Sequence, residues 1–317
     1  MAVDNGIYKR VKAYSDAVSK MVDESEKLFE SKIEEYLTSQ EGGWEKATDA
    51  GYRNEKYKGM ALDIVTLTDF VKASQPMAWK RFERMCNIDP IRQFYKAFDN
   101  AVSQAGLIEV LRHGFKHRGV HFSVCYFAPE SSLNRLAVEN YQKNICQCIR
   151  QWHYSETNTN TVDMMLALNG IPIVAIELKN QLTGQSIDDA KRQWMYNRDP
   201  KEPVFGQNKR ILAYFAVDLY NAAMATVIDR DKTPFLPFNQ GSNGAGKDGG
   251  AGNPQTEDGD YVTSYLWHEV WQKDKLLDII QKLHIVVCIH LKPLFSFQEM
   301  LQKLPYAIVH LDQYILP

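Results

Sequence analysis

No apolar run in the chain is long enough to cross a bilayer, and the first residues, MAVDNGIYKRVKAYSDAVSK, lack the hydrophobic stretch of a secretory signal. These absences predict a soluble, cytoplasmic protein without a membrane partner. Cysteine is scarce, with five in 317 residues. Only Cys146 and Cys148 are neighbours, and one intervening residue is the wrong gap for the usual zinc pair. An odd, scattered set predicts reduced thiols. An excess of basic charge is missing too: 37 Lys and Arg face 39 Asp and Glu, for a formal charge of -2. The chain as a whole therefore does not advertise for a polyanion, and any attraction to nucleic acid has to be local or supplied by a partner. No internal repeat is present.

What is there is enough apolar residue for a substantial core, 44% against 24% charged, in a length that allows one large domain or two smaller ones. Up to about residue 115 the pattern is helical. SEKLFESKIEEYLTSQ spaces Leu28, Phe29, Ile33, Tyr36 and Leu37 as on a helix and stops at Gly42-Gly43. QPMAWKRFERM and PIRQFYKAFDNAVSQAGLIEVLRHG predict two further amphipathic helices, the last halted at Gly114. From residue 119, VHFSVCYF and QCIRQWHY are β-branched and aromatic, with a helical NRLAVENYQKNI between them. A short helix follows in SIDDAKRQWMYNRD, with Ser186 as N-cap. ILAYFAVD predicts a buried strand with AAMATVI beside it. Residues 239–260 form a Gly/Asn/Asp-rich loop, and SYLWHEVWQKDKLLDIIQKL a closing helix, with Trp267 and Trp271 as core anchors. The expected architecture is α/β, a mixed central sheet flanked by helices and preceded by a helical N-terminal region.

The chemistry concentrates in VDMMLALNGIPIVAIELKNQ, residues 162–181. Asn169-Gly170 marks a hairpin. Val162, Met164, Leu166 and Leu168 form one apolar face, matched by Val174, Ile176 and Leu178. For both sets to share a core, paired numbers must sum to an even value, which predicts an odd-length loop such as Leu168-Asn169-Gly170. Pairing 167 with 171 places Asp163 opposite Ala175 and diagonal to Glu177, roughly 7–8 Å away. The other face then gathers Asp163, Glu177 and Lys179. Two carboxylates and an ammonium suit Mg²⁺ with open positions for water and phosphate, and so phosphodiester hydrolysis. A lone Glu-x-Lys is equally the end of a solvated strand. The order of acid, hairpin, Glu-x-Lys and a helix bearing Gln193 is the stronger signal.

These residues resemble the PD-(D/E)XK nuclease superfamily, and the chain resembles the N-terminal nuclease domain of type I restriction enzyme R subunits. The likeness runs over residues 25–284 and is strongest in NTNTVDMMLALNGIPIVAIELKNQLTGQSIDDAKRQWMYNRDPKEPVF. It implies a helical part over 25–117, a restriction-endonuclease-like core over 118–230, and a loop and closing helix over 231–284. Residues 285–317 are an unassigned tail. It implies that Asp163 and Glu177 hold Mg²⁺, that Lys179 is the catalytic lysine, and that Gln193 belongs to the site. The family motif pairs this glutamine with a tyrosine four residues on. Here Asn197 stands there and the tyrosine is Tyr196. Glu30, on the first long helix, is a further candidate acid, with an ordinary exposed glutamate as the plainer reading.

The implied partners are double-stranded DNA and the methylation and specificity subunits, with ATP used only by a translocase whose motifs this sequence lacks. The implied activity is Mg²⁺-dependent DNA cleavage without sequence preference. The alternative is a non-cleaving nuclease-like module, or a truncated R-subunit fragment, that docks on DNA or on the methyltransferase–specificity core. Arg112, Lys116 and Arg118 lie in the densest basic stretch and are candidate phosphate contacts, or else a solvated helix end. His153 and Tyr154 precede the nuclease strand, where a packed histidine is the commoner outcome. FNQGSNGAGKDGG imitates a phosphate-binding loop around Lys247, but Asp248 replaces the Ser or Thr and no helix can follow.

Overall fold

Asn169 and Gly170 are both left-handed, at φ 52° and 78°, and join β5 (Thr161–Leu168) to β6 (Ile171–Leu178) in a two-residue turn. The expected odd-length loop is therefore absent. Leu168 pairs with Ile171 and Ala167 with Pro172, which alone would put the two apolar faces on opposite sides. A bulge restores the parity: beyond it Leu166 faces Val174, Met165 faces Ala175 and Met164 faces Ile176. Ile173 is the extra residue, next to a proline that has no N–H for the ladder. Ile171, Ile173, Val174 and Ile176 all enter one core as a result. The register is thus shifted by two from the expected one, and Asp163 falls in line with Glu177 rather than with Ala175.

The computed structural model describes residues 27–282 apart from positions 87, 182, 183, 208, 257 and 258. The unassigned tail over 285–317 and Cys288 lie outside the described residues. The hairpin is the centre of a seven-stranded mixed sheet, ordered β1-β4-β5-β6-β7-β8-β9. The other strands are β1 (Glu45–Ala47), β4 (Cys146–His153), β7 (Ala213–Val217), β8 (Ala222–Ala225) and β9 (Leu236–Pro237). β1 runs parallel to β4 and β6 parallel to β7, and the remaining neighbours are antiparallel. β2 (Phe115–His117) and β3 (Val120–Phe122) form a separate hairpin, so VHFSVCYF contributes only three residues of strand, outside the main sheet.

Helices cover both faces. On one lie α1 (residues 27–37), α2 (Ile64–Ser74), α3 (Pro76–Arg84), α4 (Pro90–Ala105), α5 (Leu107–His113) and α8 (Lys273–Lys282). α1 buries Phe29, Ile33 and Leu37, while Leu28 is 65% exposed. The stretch read as one helix from Pro90 to His113 is two, because Gly106 takes φ 85° and ψ 157°. The closing helix is broken as well: a π-turn over Leu266–Val270 precedes α8, and Trp267 and Trp271 are fully buried as expected. On the other face α7 (Ile187–Tyr196) makes the crossover that parallel β6 and β7 require. Ser186 caps it in a reciprocal capping box with Asp189, and Trp194 Nε1 donates to the Phe215 carbonyl at 2.9 Å. α6 (Arg135–Gln142), capped by Asn134, precedes β4. Around Lys247 there is no helix among the described residues, and the glycine-rich loop is tied by Gly241 N–H to Gly252 O. No described helix is long and apolar enough to cross a membrane.

Candidate functional site

β5 and β6 part company at the end away from the turn. Their ladder stops at Met164–Ile176, and the Asp163 side chain takes over, with Oδ2 accepting from the Leu178 N–H at 2.7 Å. Strict alternation also fails here: Val162 packs in the α7-side core while Met164, two residues on, packs in the other. Asp163 is the pivot. On β4, Gln151 adopts φ 48° at the same level, between Arg150 paired with Met164 and Trp152 paired with Val162.

Glu177 is fully buried on the α7 side of β6. Its Oε1 accepts two N–H groups from Arg198, from Nε at 3.1 Å and from Nη2. Its Oε2 is buried and has no hydrogen-bond partner among the described residues. Burial, and then the charge of Asp163, push the Glu177 carboxyl well above the usual carboxylate range, while Arg198 and Lys179 pull it down. Lys179 is half-buried just past the strand, its N–H donating to Val217 O at 2.8 Å. Gln193 is half-buried on α7, one residue before Trp194.

Glu30 is not the exposed helix glutamate of the plainer reading. It is only 6% exposed and accepts from Arg150 Nη2 at 2.7 Å, Arg150 Nε at 3.1 Å and Gln151 Nε2 at 3.1 Å. Burial and the Asp163 charge raise its pKa. Asp163 thus repels acids on both sides, Glu30 from α1 and Glu177 from β6, and such a concentration of negative charge is what a divalent cation relieves. Glu30 is already held by Arg150 and Gln151. Among the described residues no group of three or more His, Cys, Asp or Glu has metal-holding geometry. Two carboxylates with the remaining positions left to water and phosphate are a donor set compatible with Mg²⁺, and the Oε2 of Glu177, without a partner among the described residues, is the observation that bears on such an ion.

Tyr196, the last residue of α7, is 67% exposed and so points to solvent rather than to the carboxylates. Arg112 is also corrected as a phosphate contact: its side chain is 7% exposed, and Nε donates to the Ile280 carbonyl at 2.7 Å, tying α5 to α8. Lys116 and Arg118 are exposed. Lys116 pairs across its hairpin with His121, which borders a groove of about 540 Å³ lined by the exposed cations Lys80, Arg81 and Arg84 of α3. His153 is half-buried and bound to Asp49 at 2.7 Å. Tyr154 does approach the site, its ring 5.2 Å from the Arg198 guanidinium.

Two residues of this region escape sequence reasoning. Arg198 lies outside the acid–hairpin–Glu-x-Lys pattern, and the only available signal is that a buried Glu177 needs a cation within reach. Asp218, fully buried at the end of β7, accepts from Ile187 N at 2.9 Å, Gln181 Nε2 at 3.0 Å, Tyr220 N at 2.8 Å and Asn221 N at 2.7 Å. With both oxygens engaged, it fixes the start of α7 and is no spare metal ligand.

A comparison with curated proteins gives no match. The family model described as type I restriction enzyme R protein N terminus matches residues 25–243, more than half of the chain. That span holds both strands of the hairpin, α7 and Arg198, and it ends short of residue 284, the limit set by the resemblance.

Proposed function

Because the chain belongs to the type I restriction enzyme R protein N-terminal family, a nuclease-like domain of the R subunit, we propose that it is a Mg²⁺-dependent DNA endonuclease unit whose site is Asp163, Glu177 and Lys179. The observation that carries this reading is the buried Oε2 of Glu177, without a partner among the described residues, beside the Asp163 charge. Asp163 and Glu177 would hold the cation. When bound, it lowers the pKa of its water and neutralises charge that builds on the phosphate. Asp163 keeps one oxygen on Leu178 N–H and so presents a fixed carboxylate. Lys179 places an ammonium at the rim, where it orients the attacking water or stabilises the charge on the phosphoryl oxygens. Gln193, half-buried on α7, is the proposed fourth member of the site.

Duplex DNA is the proposed substrate, and the methylation and specificity subunits are the proposed partners. Lys116 and Arg118 are the proposed phosphate contacts, and contacts to phosphate carry no sequence information. The cytoplasm is the proposed compartment.

Cleavage of supercoiled DNA by the purified protein in Mg²⁺ is the test. Lys179→Ala is expected to abolish it, and cleavage unchanged in that variant overturns the assignment. A second reading is a non-cleaving module, favoured by Arg198 occupying one oxygen of Glu177. It predicts that Asp163→Ala and Glu177→Ala leave cation binding by calorimetry at the wild-type level, because there would be none to lose.

A further inference from the structure

A buried Arg–carboxylate pair ordinarily lays its planar fork across both oxygens, one N–H to each. Arg198 and Glu177 do not pair that way. Nε and Nη2 of Arg198 both converge on Oε1 of Glu177, and Oε2 is left buried without a donor among the described residues. A buried acceptor without a donor is destabilising, so an arrangement that exists only to neutralise Glu177 would turn the fork.

The fork cannot turn, because it is held on other sides. Its Nη2 also donates to the Thr161 carbonyl at 2.5 Å. Its Cζ lies 5.2 Å from the centre of the Tyr154 ring and 5.9 Å from that of Trp194. Arg198 is 4% exposed overall. Trp194 is itself pinned to β7, Tyr154 follows directly on β4, and Thr161 opens β5. The guanidinium is thereby referenced to β4, β5 and α7 at once, and through it so is Oε1.

We infer that Arg198 is the positioning residue of this site, holding Glu177 by one oxygen so that the other is presented to a divalent cation. The inference rests on the reading of Asp163 and Glu177 as cation ligands. Arg198 touches neither substrate nor cation and acts through Glu177. Its planar fork matters, not only its charge, because a lysine ammonium has no geometry that fixes the carboxylate plane.

Titration calorimetry of the whole chain with Mn²⁺ tests this, with Arg198→Met, Arg198→Lys and Glu177→Gln beside the wild type and a thermal melt for each. Residues that orient a ligand are worth about 10–100-fold in metal affinity. Arg198→Lys keeps the positive charge next to Glu177 and guards against a Met variant that does not fold. It is expected to melt cooperatively and to bind Mn²⁺ at least several-fold more weakly than the wild type, with Arg198→Met weaker still. Wild-type affinity in the folded lysine variant overturns the inference and leaves Arg198 as charge balance alone. If the wild type and Glu177→Gln bind Mn²⁺ alike, the cation-site reading itself is overturned, and this inference goes with it.

Discussion

Replacing Asn169 by alanine attacks the hairpin at its tip, and the loss can be worked out from the structure. Asn169 is completely buried. Its Oδ1 accepts from Ile145 N at 2.7 Å, and its Nδ2 donates to Val124 O at 2.8 Å and to Asn144 Oδ1 at 3.1 Å. Alanine leaves the Val124 carbonyl orphaned in a fully buried place, at about 1–3 kcal/mol. The Ile145 N–H is part-buried and partly rescued by water, so it adds roughly 1 kcal/mol. Holding alanine at the observed φ of 52° costs about 1–2 kcal/mol more. The sum is roughly 3–6 kcal/mol, a large part of the stability of an ordinary domain. Urea unfolding followed by tryptophan fluorescence reads it as a fall in midpoint at constant slope. Asn169→Gly is the control: it keeps the lost bonds and removes the backbone strain, so it is expected to be about 1–2 kcal/mol less damaging than alanine. A loss under about 1 kcal/mol in the alanine variant refutes the hub role of this side chain, and equal losses in both variants refute the strain at its backbone.

Arg112→Met is expected to lower the thermal midpoint, because it breaks the bond to Ile280, while leaving DNA affinity unchanged. Lys116→Glu is expected to do the reverse and to flatten the salt dependence of DNA binding measured by fluorescence anisotropy. Saturating Mg²⁺ is expected to raise the melting midpoint of the wild type but not that of Glu177→Gln, since a ligand stabilises only the state that binds it. Glu30 carries a pH signature. Its folded pKa is raised above the ordinary value of 4.5, so the stability it contributes is fully present below 4.5 and lost as pH rises through the folded value. Urea midpoints of the wild type, taken relative to Glu30→Gln, should therefore decline across that rise, and a flat difference refutes the burial of Glu30 next to the Asp163 charge.

Periodicity made the hairpin legible, and the expected parity held for Met164, Leu166 and Leu168 with Val174, Ile176 and Leu178, which share a core, while Val162 falls on the other side. How the chain achieves that parity was not legible. A two-residue turn and a bulge at Ile173 give the same parity as an odd loop, and hydrophobic pattern alone cannot tell them apart. The break between α4 and α5 hung on a single Gly106, whose conformation overrides a continuous amphipathic stripe. The π-turn before α8 left no mark, because Leu266, Trp267 and Trp271 suit a regular helix equally well. The basic stretch misled at Arg112, since a charge pattern cannot reveal which cation folds inward. Arg198 was invisible for a related reason: its partner is 21 positions back, and only the sheet and crossover bring the two together.

Asp163 has one further consequence, for how inactive versions of this protein are made. Its carboxylate supplies the rung that the β5–β6 ladder drops after Met164–Ile176, so it is a tie-beam as well as a proposed cation ligand. The Asp163→Asn substitution keeps an oxygen for Leu178 N–H and removes only the charge. Asp163→Ala cuts the beam, and the strand end bearing Glu177 is released along with the ligand. A variant meant to test the proposed site alone is therefore best made with asparagine at this position, and the alanine variant reports on sheet architecture as much as on chemistry.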